Sequence, residues 1–490
     1  MKTHARRLTL RALAAMMAVG ALMFFAAPSS YAQEAAPAAL EEAAAPAAAG
    51  EAAPAAEIPA EAPAAAVEAP AVEAAPELPA MNSGSIAWIM AATALVLMMT
   101  LPGLALFYGG LARAKNVLAT IMYSFSALAI VSVTWVLWGY TLAFGPDVGG
   151  IVGGLDNLML AGVPLAGDAG PQNPVWKLEI PDMLFMIFQG AFAIITVALI
   201  SGAYAERFKF KAYVLFTILW TTFIYSPLAH WVWGGGWLFN LGALDFAGGT
   251  VVHIASGISG LAVALYLGKR KGFGTEKIMP HNVPMVVLGA GLLWVGWFGF
   301  NAGSAVSSSP LAVSAFVVTN TAAAAAALGW VLAEWAHGGS PTTVGMSSGA
   351  VAGLVAITPA SGFVTPGASI IIGVVAGVIC YFAVVTKHKV GYDDALDAFG
   401  IHCVGGTWGA IATGIFATAA VNSLGSGLLD GNGGQLVTQF IAVGATLAYC
   451  FIGTLVILFI VGLVTKLRPD AEDEVAGLDL TEHRESAYNN

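Results

Sequence analysis

The stretch Gly249-Thr-Val-Val-His253-Ile-Ala-Ser-Gly257-Ile-Ser-Gly260-Leu-Ala-Val-Ala-Leu-Tyr-Leu-Gly268 runs for 20 residues without a single Asp, Glu, Lys or Arg. At 1.5 Å per residue a helix of that length crosses the roughly 30 Å hydrocarbon core of a bilayer. Yet it contains a histidine, a group that is costly in lipid and that usually faces a pore or a partner. Working outward, ten further apolar runs have spanning length, giving eleven in all: 84–108, 117–145, 183–204, 212–232, 249–268, 283–303, 311–335, 342–359, 367–386, 399–420 and 435–465. Gly and Pro within them are tolerated in membrane helices.

Composition agrees with a polytopic membrane protein. Of 490 residues, 58% are hydrophobic and 10% charged, against roughly 25% charged in a typical soluble domain. Mean hydropathy is +0.79. These values exclude a soluble globular protein and a disordered chain. The net charge of −10 offers nothing to a phosphate backbone, so nucleic acid is no partner. Cys380, Cys403 and Cys450 are too few and too scattered for a disulfide framework or a zinc site.

Four regions follow one another. Residues 1–32 read as a signal peptide: Lys2, Arg6, Arg7 and Arg11 precede an apolar stretch, and Ser30-Tyr31-Ala32 offers small residues for cleavage. Residues 33–82 read as a disordered extracytoplasmic spacer, with 24 Ala, 8 Pro and 9 Glu in the 48 positions from 33 to 80. Residues 83–465 form the membrane domain, and 466–490 a polar cytoplasmic tail. With eleven crossings and an outer N-terminus, 14 basic residues fall in inner loops and tail, and only Lys177 outside. That asymmetry is what the positive-inside rule requires. Five spans and then five more would make the second set run in the opposite sense, an inverted repeat with one span added. His253 and His402, each opening a Gly-rich helix, are a sequence echo of such a repeat.

Of eight histidines, only His253 and His402 sit within apolar spans. They are either core histidines satisfied by backbone carbonyls or pore-lining groups. A metal site is disfavoured, because besides Asp245 and Asp397 at the helix ends only Cys403 shares their helices. Asp245, eight residues before His253, reads as a helix cap or as a buried charge near the outer mouth. Asp397 before His402 has the same two readings. Trp231, Trp233 and Trp237 fit an interfacial belt, whereas Phe300-Asn-Ala-Gly-Ser304 places an aromatic, an amide and a hydroxyl together at one span end.

Five stretches carry a resemblance to a known family. They are Leu101-Pro-Gly-Leu-Ala-Leu-Phe-Tyr-Gly-Gly110, Phe188-Gln-Gly-Ala-Phe192, Gly242-Ala-Leu-Asp-Phe-Ala-Gly-Gly-Thr-Val-Val-His253, Gly296-Trp-Phe-Gly-Phe-Asn-Ala-Gly-Ser304 and Asp397-Ala-Phe-Gly-Ile-His402. Together with Gly477-Leu-Asp-Leu and Ala487-Tyr-Asn in the tail, they resemble the Amt/Mep/Rh ammonium transporters of the bacterial Amt type. The resemblance implies an all-α membrane protein with eleven transmembrane helices, a 5+5 inverted repeat plus one and an apolar pore in each subunit of a homotrimer. It places Phe192, Trp233 and Ser304 at an outer ammonium-binding site, with methylamine as an analogue substrate. Phe192 and Phe300 become the gate, His253 and His402 a hydrogen-bonded pore pair and proton relay, and Asp245 an electrostatic and structural acid. It further implies a bacterial inner-membrane location, no cofactor, no metal and no enzymatic activity. The tail is expected to fold against the inner face and to govern regulation by a PII-type nitrogen-signalling protein. A passive ammonia channel and an ammonium sensor acting through such a partner remain as alternatives.

Overall fold

Short polar residues set where the long helices begin. Side chains of Asn82, Asn282, Ser309, Thr342, Thr365 and Asn432 each accept a backbone N–H from the first turn that follows, satisfying donors that a helix start leaves free. Pro310 and Pro366 stand at first helical positions, where no N–H is needed. At the far ends, Gly339 and Gly391 take left-handed φ of 82° and 88° and close two of these helices.

The computed structural model describes residues 80–164, 176 and 178–488. The expected signal peptide and all but the last three residues of the expected spacer lie outside them. In chain order the apolar helices are α1 (Ser83–Leu111), α2 (Ala114–Phe144), α3 (Asp182–Tyr204), α4 (Phe210–Asn240), α5 (Gly249–Leu267), α6 (Val283–Gly303), α7 (Pro310–Gly338), α8 (Thr343–Ile357), α9 (Pro366–Val390), α10 (Phe399–Phe416) and α11 (Gly433–Val464). Ten of these are long and apolar enough to cross a membrane; α8, at the eighth expected span, has 15 residues and is shorter. The tenth run ends at Phe416 rather than near 420, because Ala417 turns to extended backbone. A two-stranded ribbon, β1 (Asp147–Val148) and β2 (Val152–Gly153), follows α2. Two short helices, α12 (Ala471–Ala476) and α13 (Leu478–His483), form the tail.

Helix α1 packs on α6, and α5 on α10. The first elements of the two five-helix sets therefore pair, as do the last. Large apolar side chains such as Phe125, Leu288, Leu332, Ile370 and Leu463 remain exposed, as lipid-facing surfaces should.

The loops sort onto two faces. On one, buried Glu206 (α3–α4) accepts the Arg113 N–H at 2.8 Å and Nε at 2.6 Å (α1–α2). It also pairs with Arg270 (α5–α6) at 3.4 Å, and Arg270 in turn holds Asp393 (α9–α10) at 2.9 Å. This is the face bearing the basic loops. On the other, the Phe246 N–H meets the Pro359 carbonyl, the Trp237 N–H that of Gly150 and the Thr418 N–H that of Phe363. The alternation expected of successive crossings is thus present.

The tail lies on the basic face, as anticipated. Asp479 accepts the first-turn N–H groups of Leu118 and Ala119 in α2 at 3.0 and 2.8 Å, where the helix dipole favours an anion. Glu474 accepts the Lys271 N–H at 2.7 Å and pairs with Arg468 at 2.7 Å. Glu482 pairs with Lys209 at 3.3 Å, and the Tyr488 hydroxyl meets His281 Nε2 at 2.8 Å.

Candidate functional site

Asp245 organises the start of α5. Its Oδ1 accepts N–H bonds from Gly248 at 2.8 Å and Gly249 at 2.6 Å; its Oδ2 accepts the Thr250 N–H at 2.7 Å and the Thr250 hydroxyl. Burial raises this carboxyl above its usual range, and those four donors pull it back. The cap reading of Asp245 therefore describes its contacts. The Asp245 carbonyl also accepts the Trp233 indole N–H at 2.8 Å, fixing that ring. Trp231 and Trp233 are both buried, so they belong to no interfacial belt.

Trp233 is one wall of a recess on the face opposite the basic loops. Phe192, Ser304, Gln189, Phe185, Phe246 and Trp176 also line it. The Phe192 and Trp233 rings meet edge to face at 6.0 Å. Ser304 spends its proton on the Phe300 carbonyl at 2.8 Å, leaving its oxygen lone pairs as acceptors. At the floor of the recess Phe192 and Phe300 are in contact, with centroids 4.4 Å apart and planes tilted by 39°.

Behind that pair lies a cavity walled by Leu104, Phe107, Ile195, Leu199, Leu293, Trp297 and Val351, whose only polar side chains besides the Trp297 indole are His253 and His402. The two imidazoles are buried, with Nδ1 atoms 3.3 Å apart and rings inclined by 23°. One Nδ1 must donate while the other accepts, so the neutral pair holds opposite tautomers. His253 packs against both Trp297 at 5.3 Å and Phe300 at 5.8 Å, and its Nε2 meets no partner among the described residues. The two rings thus make one polar contact with each other inside an otherwise apolar cavity.

Close backbone approach brings the histidines together. Each lies in a widened π turn, Gly249–Ile254 or Phe399–Cys403, an irregularity frequent at functional sites. Gly257, four residues after His253, would drive a Cβ to 2.3 Å from the Cys403 backbone nitrogen. Gly406, four residues after His402, would place one 3.0 Å from the Gly249 carbonyl and the His253 Cβ. Only hydrogen fits at Gly257.

The cap of the second histidine helix is a correction. Asp397 is not its cap: it has a left-handed φ of 64° and pairs with Lys387. Asp394 accepts the Ala398 and Phe399 N–H groups at 3.1 and 2.8 Å. Burial pushes its carboxyl up to about 6, against the pull of Lys387. Asp394 precedes His402 by eight residues, as Asp245 precedes His253, and that equal spacing is the signal that identifies it. Gln189 was also missed as a site residue; its buried Oε1 has no protein partner and belongs to the recess. The Phe188–Phe192 motif contains it as the lone amide of its helix. Among the described residues, no group of three or more His, Cys, Asp or Glu side chains converges as a metal site would require.

Comparison with known proteins agrees with this architecture. A model of the Ammonium Transporter Family matches residues 87–488. An "Ammonium transporter" of Bacillus subtilis (strain 168) is 55% identical over 407 residues, covering 83% of this chain and 98% of the relative. "Ammonium transporter Amt1" of Archaeoglobus fulgidus is 48% identical over 407 residues, covering 83% and 100%. Among solved structures, Saccharomyces cerevisiae Mep2 superimposes with a TM-score of 0.75 at 38% identity, over 80% of this chain and 89% of that one. A "Sensor Amt Protein" gives 0.75 at 29%, over 81% and 98%. With its paired histidines, its aromatic recess and relatives of this likeness along the whole membrane domain, the chain belongs to the ammonium transporter family.

Proposed function

We propose that this protein carries ammonium across a bacterial inner membrane by binding the cation in the aromatic recess, removing its proton and passing neutral ammonia through the pore. The observation that carries this reading is the Nδ1–Nδ1 contact of His253 and His402 at 3.3 Å inside an apolar cavity behind the Phe192–Phe300 pair. A cation over the Trp233 or Phe192 ring gains about 0.5–2 kcal/mol. That attraction does not separate ammonium from potassium. Ammonium donates hydrogen bonds to the Ser304 oxygen and the Gln189 Oε1, which potassium cannot do, and it can surrender a proton. An intact cation entering the dry tube costs several kcal/mol, which neutral ammonia avoids. Deprotonation is therefore the selectivity filter. The proton crosses separately through His253 and His402, so one charge moves for each ammonia.

The basic loops face the cytoplasm in this reading. The N-terminus is extracytoplasmic after loss of residues 1–32, and the acidic 33–82 segment is a spacer before the membrane domain of 83–465. The two five-helix sets are an inverted repeat, which the α1–α6 and α5–α10 pairings support. Three chains assemble with one pore each. The tail, residues 466–490, presents the cytoplasmic face to a PII-type trimer.

The test is current across proteoliposomes after an ammonium pulse, wild type beside His253→Ala and His402→Ala, with potassium as the control cation. A wild-type ammonium current without a potassium current, lost in both variants, is the expected result. Normal current in both variants would sink the proton relay. Ammonia entry seen as rising internal pH, without any current, would make the protein a passive ammonia channel with histidines that only line its pore.

A further inference from the structure

Helix α11 lies outside the two five-helix sets, yet one of its side chains reaches both histidine-bearing segments. The Gln439 amide is buried and fully used. Its Oε1 accepts the Leu244 N–H at 2.8 Å and its Nε2 donates to the Leu244 carbonyl at 2.8 Å, a two-way pairing of side-chain amide with peptide. The same Nε2 donates to the Ala410 carbonyl of α10 at 3.0 Å. Its Cγ lies over Gly414, where a Cβ would come within 2.9 Å. Leu244 adjoins Asp245, whose carboxylate starts the His253 helix and whose carbonyl holds Trp233. Ala410 is two turns beyond His402. One amide thus joins the anchor of the first histidine helix to the body of the second.

We propose that Gln439 is a positioning residue for the transport pathway: by clasping Leu244 and Ala410 together it sets the approach of the two histidine helices and hence the bore of the pore. The inference rests on the transport function proposed above. Among the described residues no other buried polar side chain hydrogen-bonds to both segments, and Gln439 itself lines neither recess nor pore. Its loss leaves the Leu244 peptide N–H buried without its partner, a penalty that relaxation of the turn relieves. Relaxation there moves Asp245 and Trp233 and loosens α5 from α10.

The experiment uses the full chain in proteoliposomes, with transport normalised to folded protein. In Gln439→Leu, which keeps most of the volume, ammonium transport should fall on the order of tenfold, while the ratio of methylammonium to ammonium transport rises as the bore widens. Gln439→Glu supplies a second readout. Protonated, its carboxyl can still accept the Leu244 N–H and donate its one proton to the Ala410 carbonyl, keeping the clasp; ionised, it can only accept. Its transport relative to wild type should therefore recover on acidification, a pH profile that simple space-filling would not produce. Should Gln439→Leu fail to fold, the Glu variant decides alone. Wild-type rates and ratios in both variants overturn the proposal, as does a loss that only follows the amount of folded protein with ratio and pH profile unchanged. Absence of ammonium transport by the wild type in the same vesicles would instead refute the functional reading.

Discussion

Ser304 gives its own proton to the Phe300 carbonyl, and so offers the recess only lone pairs. Replacing it by Ala removes one acceptor from a bound cation, an interaction worth about 0.5–1.5 kcal/mol. The concentration for half-maximal ammonium transport in Ser304→Ala should accordingly rise roughly two- to tenfold; an unchanged value would remove Ser304 from the binding site. Gly257 makes a different demand. A side chain there meets backbone rather than a movable side chain, so Gly257→Val should cost at least about 1–3 kcal/mol of overpacking, read as a lowered unfolding temperature with reduced transport. At this scale the sequence was most legible where chemistry clashes with surroundings: an imidazole in an apolar span announces itself. Asp394 was passed over because Asp397 stood nearer to His402, and linear proximity was a poor guide. The backbone turns back at Asp397, whose left-handed φ leaves Asp394 facing the helix start. Gln189 hid for the opposite reason, since a single amide in a long apolar helix reads as ordinary packing until the recess around it is seen.

Among the elements, ten of the eleven expected spans are helices of crossing length and apolarity, because periodicity is not needed to recognise a segment apolar on every side. Their ends were less legible. Caps such as Ser309 and Thr365 start α7 and α9 at Pro310 and Pro366, and glycine closes them several residues beyond the apolar core. The π turns at the histidines arise from tertiary crossing and leave no pattern in the sequence. Two predictions belong here. Asp479 serves as a cap for α2 from far along the chain, so Asp479→Ala should destabilise that joint by about 0.5–2 kcal/mol. Faster proteolysis of the tail would reveal it, and unchanged cleavage would contradict it. Asp393 joins two loops: burial alone would raise its carboxyl, but bonding to Arg270 and the charges of Arg207 and Arg270 hold it below the usual range. A depressed folded value means stability that is present above about pH 3.9 and fades as pH falls towards the folded value. Asp393→Asn should hence unfold at lower temperature near neutrality, with the gap to wild type closing in acid; a gap independent of pH would argue against this ion pair.

For the whole molecule, the alternation of loops between two faces was readable from the distribution of basic residues, whereas the lattice of contacts joining those loops was not. Glu206 collects Arg113 and Arg270, and Asp393 extends the network to the loop before α10. The tail then crosses the same face, touching Leu118, Lys209, Lys271 and His281. Deleting residues 470–490 should lower transport or abolish binding of a PII-type partner, measured by flux and by co-purification; normal values of both would leave the tail without a regulatory part. Its position also bears on the order of assembly. A chain is made from its N-terminus, so the loops between α1 and α6 enter the membrane long before the residues that tie them together exist. Asp479 and Tyr488 follow every span in the chain, so the joints they make with α2 and with His281 close only after the last span has been made.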